Sequence, residues 1–208
     1  MVSSYPVQFD VDFPARPLNR LSTAFRLILA VPIVIVLSML TGEAFGGNDS
    51  GSSAEHQLVI GGAAVFLPLV LMLVFRQKYP RWWFDWNLNL MRLSNRVTAF
   101  LALLDDRYPS TDDQQAVHLD FPYPDAQQMS QWLPLFKWFL AIPHYVVLFC
   151  LWIGALVAIV IAWFAIVFTG SYPRTLFDYV VGVLRWSNRV NGYAFTLVTD
   201  QYPPFSLR

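Results

Sequence analysis

One motif occurs twice in this chain. Tyr79-Pro80-Arg81, Phe84-Asp85, Arg92 and Ser94-Asn95-Arg96-Val97 return as Tyr172-Pro173-Arg174, Phe177-Asp178, Arg185 and Ser187-Asn188-Arg189-Val190, every member displaced by 93 positions. Side chains of such mixed chemistry do not recur at constant offset by chance, so the sequence reads as a duplication whose halves share one fold. Each copy follows a strongly apolar stretch, which sets the repeat in a membrane.

Composition agrees. The chain is 56% hydrophobic and 13% charged, outside ordinary soluble usage. Its 14 basic side chains balance its 14 acidic ones, so no global basic field attracts nucleic acid. The single Cys150, inside an apolar run, excludes an intramolecular disulfide and a cysteine-built zinc site.

Leu27 to Leu40, with Leu21 to Phe25 ahead of it, approaches the roughly 20 residues a helix needs to cross the hydrocarbon. Leu58 to Phe75 predicts a second span. Leu133 to Phe168, broken only by Lys137 and His144, is too long for one ordinary crossing and predicts two helices turning near Trp152-Ile153-Gly154. Basic residues flank the first pair of spans (Arg16, Arg20 and Arg26 before, Arg76, Lys78 and Arg81 after). The loop between them carries only Glu43, Asp49 and Glu55. The positive-inside rule then puts both termini and both motif segments in the cytoplasm, and the halves are parallel repeats. The chain begins with polar sequence, which argues against a cleavable signal peptide.

Each unit opens with an alternating stretch, Val7 to Phe13 or Val117 to Phe121, that predicts a strand. Leu29-Ala30-Val31-Pro32 then matches Leu140-Ala141-Ile142-Pro143, where the prolines predict kinks that shape either packing or a cavity. The motif begins a helix with proline in its first turn. Around it, Arg81, Asp85, Asn89, Arg92 and Arg96 lie on one side, and Trp82, Trp86, Leu90, Leu93 and Val97 on another. Arg174, Asp178, Arg185 and Arg189 form the corresponding stripe. This is the pattern of a helix lying in the headgroup plane. Ala99 to Leu104 and Tyr193 to Thr199 predict closing strands, with continuation of the first helix through Leu104 as the alternative. Thr41 to His56, rich in Gly and Ser, reads as a flexible outer insertion.

The candidate binding residues are Arg81, Arg92, Arg96, Arg174, Arg185 and Arg189, because a guanidinium meets phosphate bidentately; equally, they suit structural bonds to backbone carbonyls. Asp85 and Asp178 are i,i+4 partners of Arg81 and Arg174. His144, ionisable within a span, is a functional candidate, although its counterpart is Ile33. The spans hold no paired carboxylates, and no nucleophile elbow, phosphate loop or HExxH motif is present. No catalytic residue, metal site or cofactor is expected.

With its units laid out as Asp-Phe-Pro, Leu-Ala-x-Pro, Tyr-Pro-Arg, Phe-Asp and Arg-x-Ser-Asn-Arg-Val, the chain resembles a bacterial membrane family, domain of unknown function 4389, in two tandem copies over nearly its whole length. The resemblance implies location and architecture and carries no activity.

The expected fold is therefore a mainly α membrane protein with four transmembrane helices in two parallel-repeat hairpins, two interfacial amphipathic helices and a small cytoplasmic β-sheet. Residues 1–109 form the first repeat, 110–115 a linker and 116–208 the second. The expected function is that of a non-catalytic accessory or scaffolding subunit, multi-pass in a bacterial inner membrane, binding other membrane proteins or itself together with anionic lipid. A carrier or channel for lipid-like molecules, and a lipid-headgroup enzyme using Asp85, Asp178 and His118, are the alternatives.

Overall fold

The computed structural model describes residues 5–41, 72, 75–76, 78–111, 113, 115–125, 129–130 and 132–208. Strand β1 (Gln8–Val11) leads through helix α1 (Arg20–Ala24) into the apolar α2 (Arg26–Thr41). Helix α3 (Arg81–Leu101) and strand β2 (Val117–Asp120) follow, then α4 (Leu133–Leu140), α5 (Ile142–Thr169) and α6 (Arg174–Ala194).

The strands pair antiparallel, with Asp10 opposite His118 and Phe9 opposite Leu119. Alternation does what period-two patterning requires: Val7, Phe9, Val11, Val117 and Leu119 are buried, while Gln8, Asp10, His118 and Asp120 face out. The buried face lies on α3 and α6, whose prolines at 80 and 173 supply the preset φ at the helix entrance. The halves interlock: β1 packs on α6 and β2 on α3, so each strand serves the other half's helix.

Four transmembrane helices are not what the described residues form. Leu133–Thr169 is one helical run of 37 residues and the only described helix long and apolar enough to cross a membrane. It does not turn at Trp152-Ile153-Gly154. Gly154 instead admits Tyr179 of α6, whose hydroxyl would stand 2.5 Å from an added Cβ and donates to Leu151 O at 3.0 Å. Hydropathy sees a glycine and an aromatic alike at a turn and at a helix contact. The run is interrupted only at Ala141, with Pro143 in the first turn of α5, whereas Pro32 lies inside the continuous α2. The predicted span Leu58 to Phe75 and the insertion Thr41 to His56 fall almost wholly outside the described residues.

The motif helices do not match the expected half-exposed pattern throughout. In α6, 13 of 21 residues are buried, Asn188 and Arg189 among them, because the helix is packed by β1, α4 and α5 and meets α3 through Asn188. In α3 the buried side includes Phe84, Leu88, Met91 and Asn95 together with Leu93 and Val97 of the expected arc, and leaves Trp82 and Trp86 exposed. The closing strands do not form. Helix α3 runs to Leu101, and each motif helix ends before a residue in the left-handed region, Leu103 (φ 65°) or Leu197 (φ 55°). The sheet therefore has two strands and not four.

Candidate functional site

The repeated arginines converge on the sheet. Arg92 Nε donates to Leu119 O at 3.0 Å and its Nη2 meets Asp120 at 3.4 Å. Arg185 Nε donates to Phe9 O at 2.9 Å, and its other nitrogens reach Asp10 at 2.8 Å and Leu207 O at 3.2 Å. Phe9 and Leu119 are register partners, so the two guanidiniums bond to carbonyls on one rung of the two-stranded sheet. Arg96 donates to Ser110 O and Thr111 O, and Arg189, only 2% exposed, donates to Ser206 O. Desolvation and the neighbouring Arg185 lower the Arg189 pKa from its ordinary value, and Tyr5 opposes them; an arginine remains charged regardless.

Arg81 and Arg174 are placed differently. Both are exposed at the start of their helices and lie over rings, Arg81 at 5.0 Å from the Tyr123 centroid and Arg174 at 4.5 Å from that of Phe13. Arg174 pairs with Asp178 at 3.4 Å, the i,i+4 contact read from the spacing, and Asp85 is exposed on α3.

A groove of about 820 Å³ runs between the sheet and α6, lined by Asp10, Asp120, Arg174, Asp178, Arg185 and Arg189. His118 also lines it, with Nε2 2.9 Å from Asp12. A smaller groove of about 430 Å³ lies beside α3, at Arg92, Arg96 and Asp120. Asp10, Asp120 and Asp178 are ion-paired to neighbours, and Asp12 lies against the His118 ring. These grooves present alternating charge and no nucleophile with an adjacent base. Among the described residues no group of three or more His, Cys, Asp or Glu is placed to hold a metal ion.

Sequence reasoning passed over two buried constellations and singled out one residue, His144, of a third. Arg26, at the start of α2, meets Asp106 and donates to Asp105 O, and its counterpart Lys137 meets Asp200 at 2.7 Å and donates to Thr199 O. Tyr79 donates to Thr196 O and Tyr172 to Ala102 O, each reaching the end of the other half's motif helix. His144 is fully buried: Nδ1 accepts from Trp186 Nε1 at 3.1 Å, which sets the Nε2–H tautomer, and the ring stacks on Phe205 at 4.1 Å. The signal for the first two was the repeat itself, since the basic residues and tyrosines recur; His144 carried none beyond its ionisable group. Of the two readings open for His144, a functional group in a span or a ring hydrogen-bonded locally, the contacts with Trp186 and Phe205 favour the second.

Among known families, residues 134–206 match Domain of unknown function (DUF4389) in one copy, 73 of the 208 residues. No curated protein and no solved structure matches the chain significantly. The match lies in the second half of the chain, which also holds the one described helix of membrane-crossing length and apolarity.

Proposed function

We propose that this chain is a non-catalytic accessory protein of a bacterial cytoplasmic membrane, holding other membrane proteins, or further copies of itself, together with anionic lipid. The observation that carries the reading is the exposed apolar side of Leu133–Thr169: only 22% of its most apolar stretch is buried, and Phe149, Leu156, Phe164 and Phe168 stand outward. Such a surface needs lipid or protein against it. Exposed Arg81 and Arg174, with Trp82 and Trp86 nearby on α3, suit a headgroup layer on the cytoplasmic side.

We further infer that the chain holds two copies of the family unit. The paired contacts support this: Arg92 to β2 and Arg185 to β1, Arg26 with Asp106 and Lys137 with Asp200, Tyr79 and Tyr172 to opposite helix ends. Asp10 and His118, two residues before the matched Asp12 and Asp120, stand opposite one another in the sheet.

Pro32 and Pro143 both face outward, which counts against a carrier cavity built on them. The test is native mass spectrometry after gentle extraction, comparing wild type with Arg81→Ala/Arg174→Ala. Retained partners or a fixed oligomer, with anionic phospholipid reduced several-fold in the variant, support the proposal. A lone chain with unchanged lipid would sink it, as would phospholipid turnover that Asp178→Asn abolishes.

A further inference from the structure

We infer that Leu133–Thr169 is a monotopic anchor: it lies in the plane of the membrane, its outward face sunk into one leaflet, and does not cross. This rests on the membrane association proposed above and adds its geometry.

The helix is attached to the polar body along its whole length. Lys137 is tied to Thr199 and Asp200, His144 to Trp186, Trp152 to Ser187 at 3.1 Å and Trp163 to Thr23 O at 3.1 Å. At the far end, Leu18 N donates to Gly170 O at 2.9 Å. Lys137 and Trp163 are about 39 Å apart at ~1.5 Å per residue, more than the ~30 Å of hydrocarbon in a bilayer. A helix standing along the membrane normal would therefore carry its polar companions through the full depth of the lipid.

Those companions cannot go there. Helix α6 is sandwiched: Tyr179, Trp186 and Ser187 face α5, while Phe177, Arg185 and Gly192 face the β1 segment on nearly the opposite side. The polar sheet thus lies beyond α6 as seen from the apolar helix. Its outer face exposes Asp10 (71%), Asp12 (70%) and Asp120 (81%). A crossing would place these carboxylates against lipid tails, where charged groups persist only when they face a protein interior or water. Rotating the body so that the helix lies flat resolves this: apolar helix, core helix and acidic sheet then follow the path from lipid to water. Arg20, beside Gly170 at the end of the helix, comes to headgroup level, as does Trp132 before its start. This layering, polar to apolar across the helix axes, selects a lipid leaflet over a second copy as the occupant of the face.

The test uses the full chain carrying Cys150→Ser and single cysteines at Phe139, Ile153, Val160 or Phe168, which share one outward face and are 60%, 53%, 50% and 73% exposed. Each is nitroxide-labelled in vesicles of phosphatidylglycerol and phosphatidylethanolamine, and depth is read from oxygen against nickel-chelate accessibility. The expected result is one shallow depth, about 5–10 Å below the headgroups, at all four positions. A depth that rises to the bilayer centre at Ile153 and falls again would overturn the in-plane anchor and leave membrane association standing. Labels reached by nickel at every position would overturn the association itself. Labels shielded from both reagents would mean that protein, not lipid, covers the face.

Discussion

Asn95 and Asn188 exchange amide hydrogen bonds at 2.8 and 2.7 Å where α3 crosses α6, and each also donates to a carbonyl one turn back in its own helix. Both are buried, at 8% and 5% exposure, so the pair satisfies itself at the seam between the halves. A reciprocal pair of this kind aligns two helices because any slip strands four polar groups.

Asn95→Ala or Asn188→Ala should each lower stability by about 1–3 kcal/mol, since the remaining amide is left buried and unpaired. Replacing both with Leu should cost less than the sum of the single changes. A double-mutant cycle by chemical unfolding in mild detergent checks this, and additive losses would show that the two amides are energetically independent.

Lys137 is completely buried and its partner Asp200 only 25% exposed, at the foot of the apolar helix. Removing one partner, as in Lys137→Met or Asp200→Leu, should destabilise by about 3–5 kcal/mol by leaving the other uncompensated, while the double change should recover most of the loss. Thermal unfolding of the three variants distinguishes this from a pair worth nothing, for which no single change would matter.

Gly154→Ala forces a methyl into the Tyr179 hydroxyl and breaks its bond to Leu151 O. The expected loss is about 1–3 kcal/mol. Tyr179→Phe removes the obstructing oxygen and leaves the nearest ring carbon at an ordinary 3.4 Å, so the combined variant should be more stable than Gly154→Ala alone. A combined variant no better than the single one would place the strain elsewhere.

Burial raises the pKa of Tyr79, Tyr172 and Tyr5 well above the ordinary phenol value; Tyr123 adds to the effect at Tyr79, and at Tyr5 Arg189 opposes it. The unfolded chain gives up these protons near pH 10 while the folded chain keeps them. Stability from these groups is therefore complete below about pH 10 and declines as pH rises beyond it. Tyr79→Phe should make alkaline unfolding less steep, measurable by circular dichroism between neutral and strongly alkaline pH.

The arginines show where reading from sequence stops. Their recurrence marks Arg92 and Arg185 as matched and working, and their chemistry suits phosphate. Folding commits both to strand carbonyls, and leaves Arg81 and Arg174, identical in type and motif, exposed. The difference lies in which partner each position along the helix meets, rings for Arg81 and Arg174 and strand carbonyls for Arg92 and Arg185, which no spacing rule contains. Trp82 and Trp86 teach the same lesson: of the apolar arc legible on α3, Leu93 and Val97 are buried, whereas the two tryptophans stay exposed and Phe84, Leu88 and Met91 turn inward, because the helix packs on β2 and α2.

Local order was written in the sequence itself. The alternation of Val7 to Val11 and Val117 to Leu119, the prolines ahead of Arg81 and Arg174, and the apolarity of Leu133–Thr169 determined two strands, the starts of two helices and the helical character of a third stretch, though not where that stretch would break, because pleat, fixed φ and side-chain solvation act within a few residues. Only the tertiary structure decided who meets whom: β1 with β2, Arg185 with Phe9 at a separation of 176 residues, Gly154 against Tyr179 where a turn was expected. Periodicity assigns a residue its face. The partner of that face is chosen by which long-range contacts satisfy the most buried polar groups and apolar area at once, and that sum exists only in the folded chain.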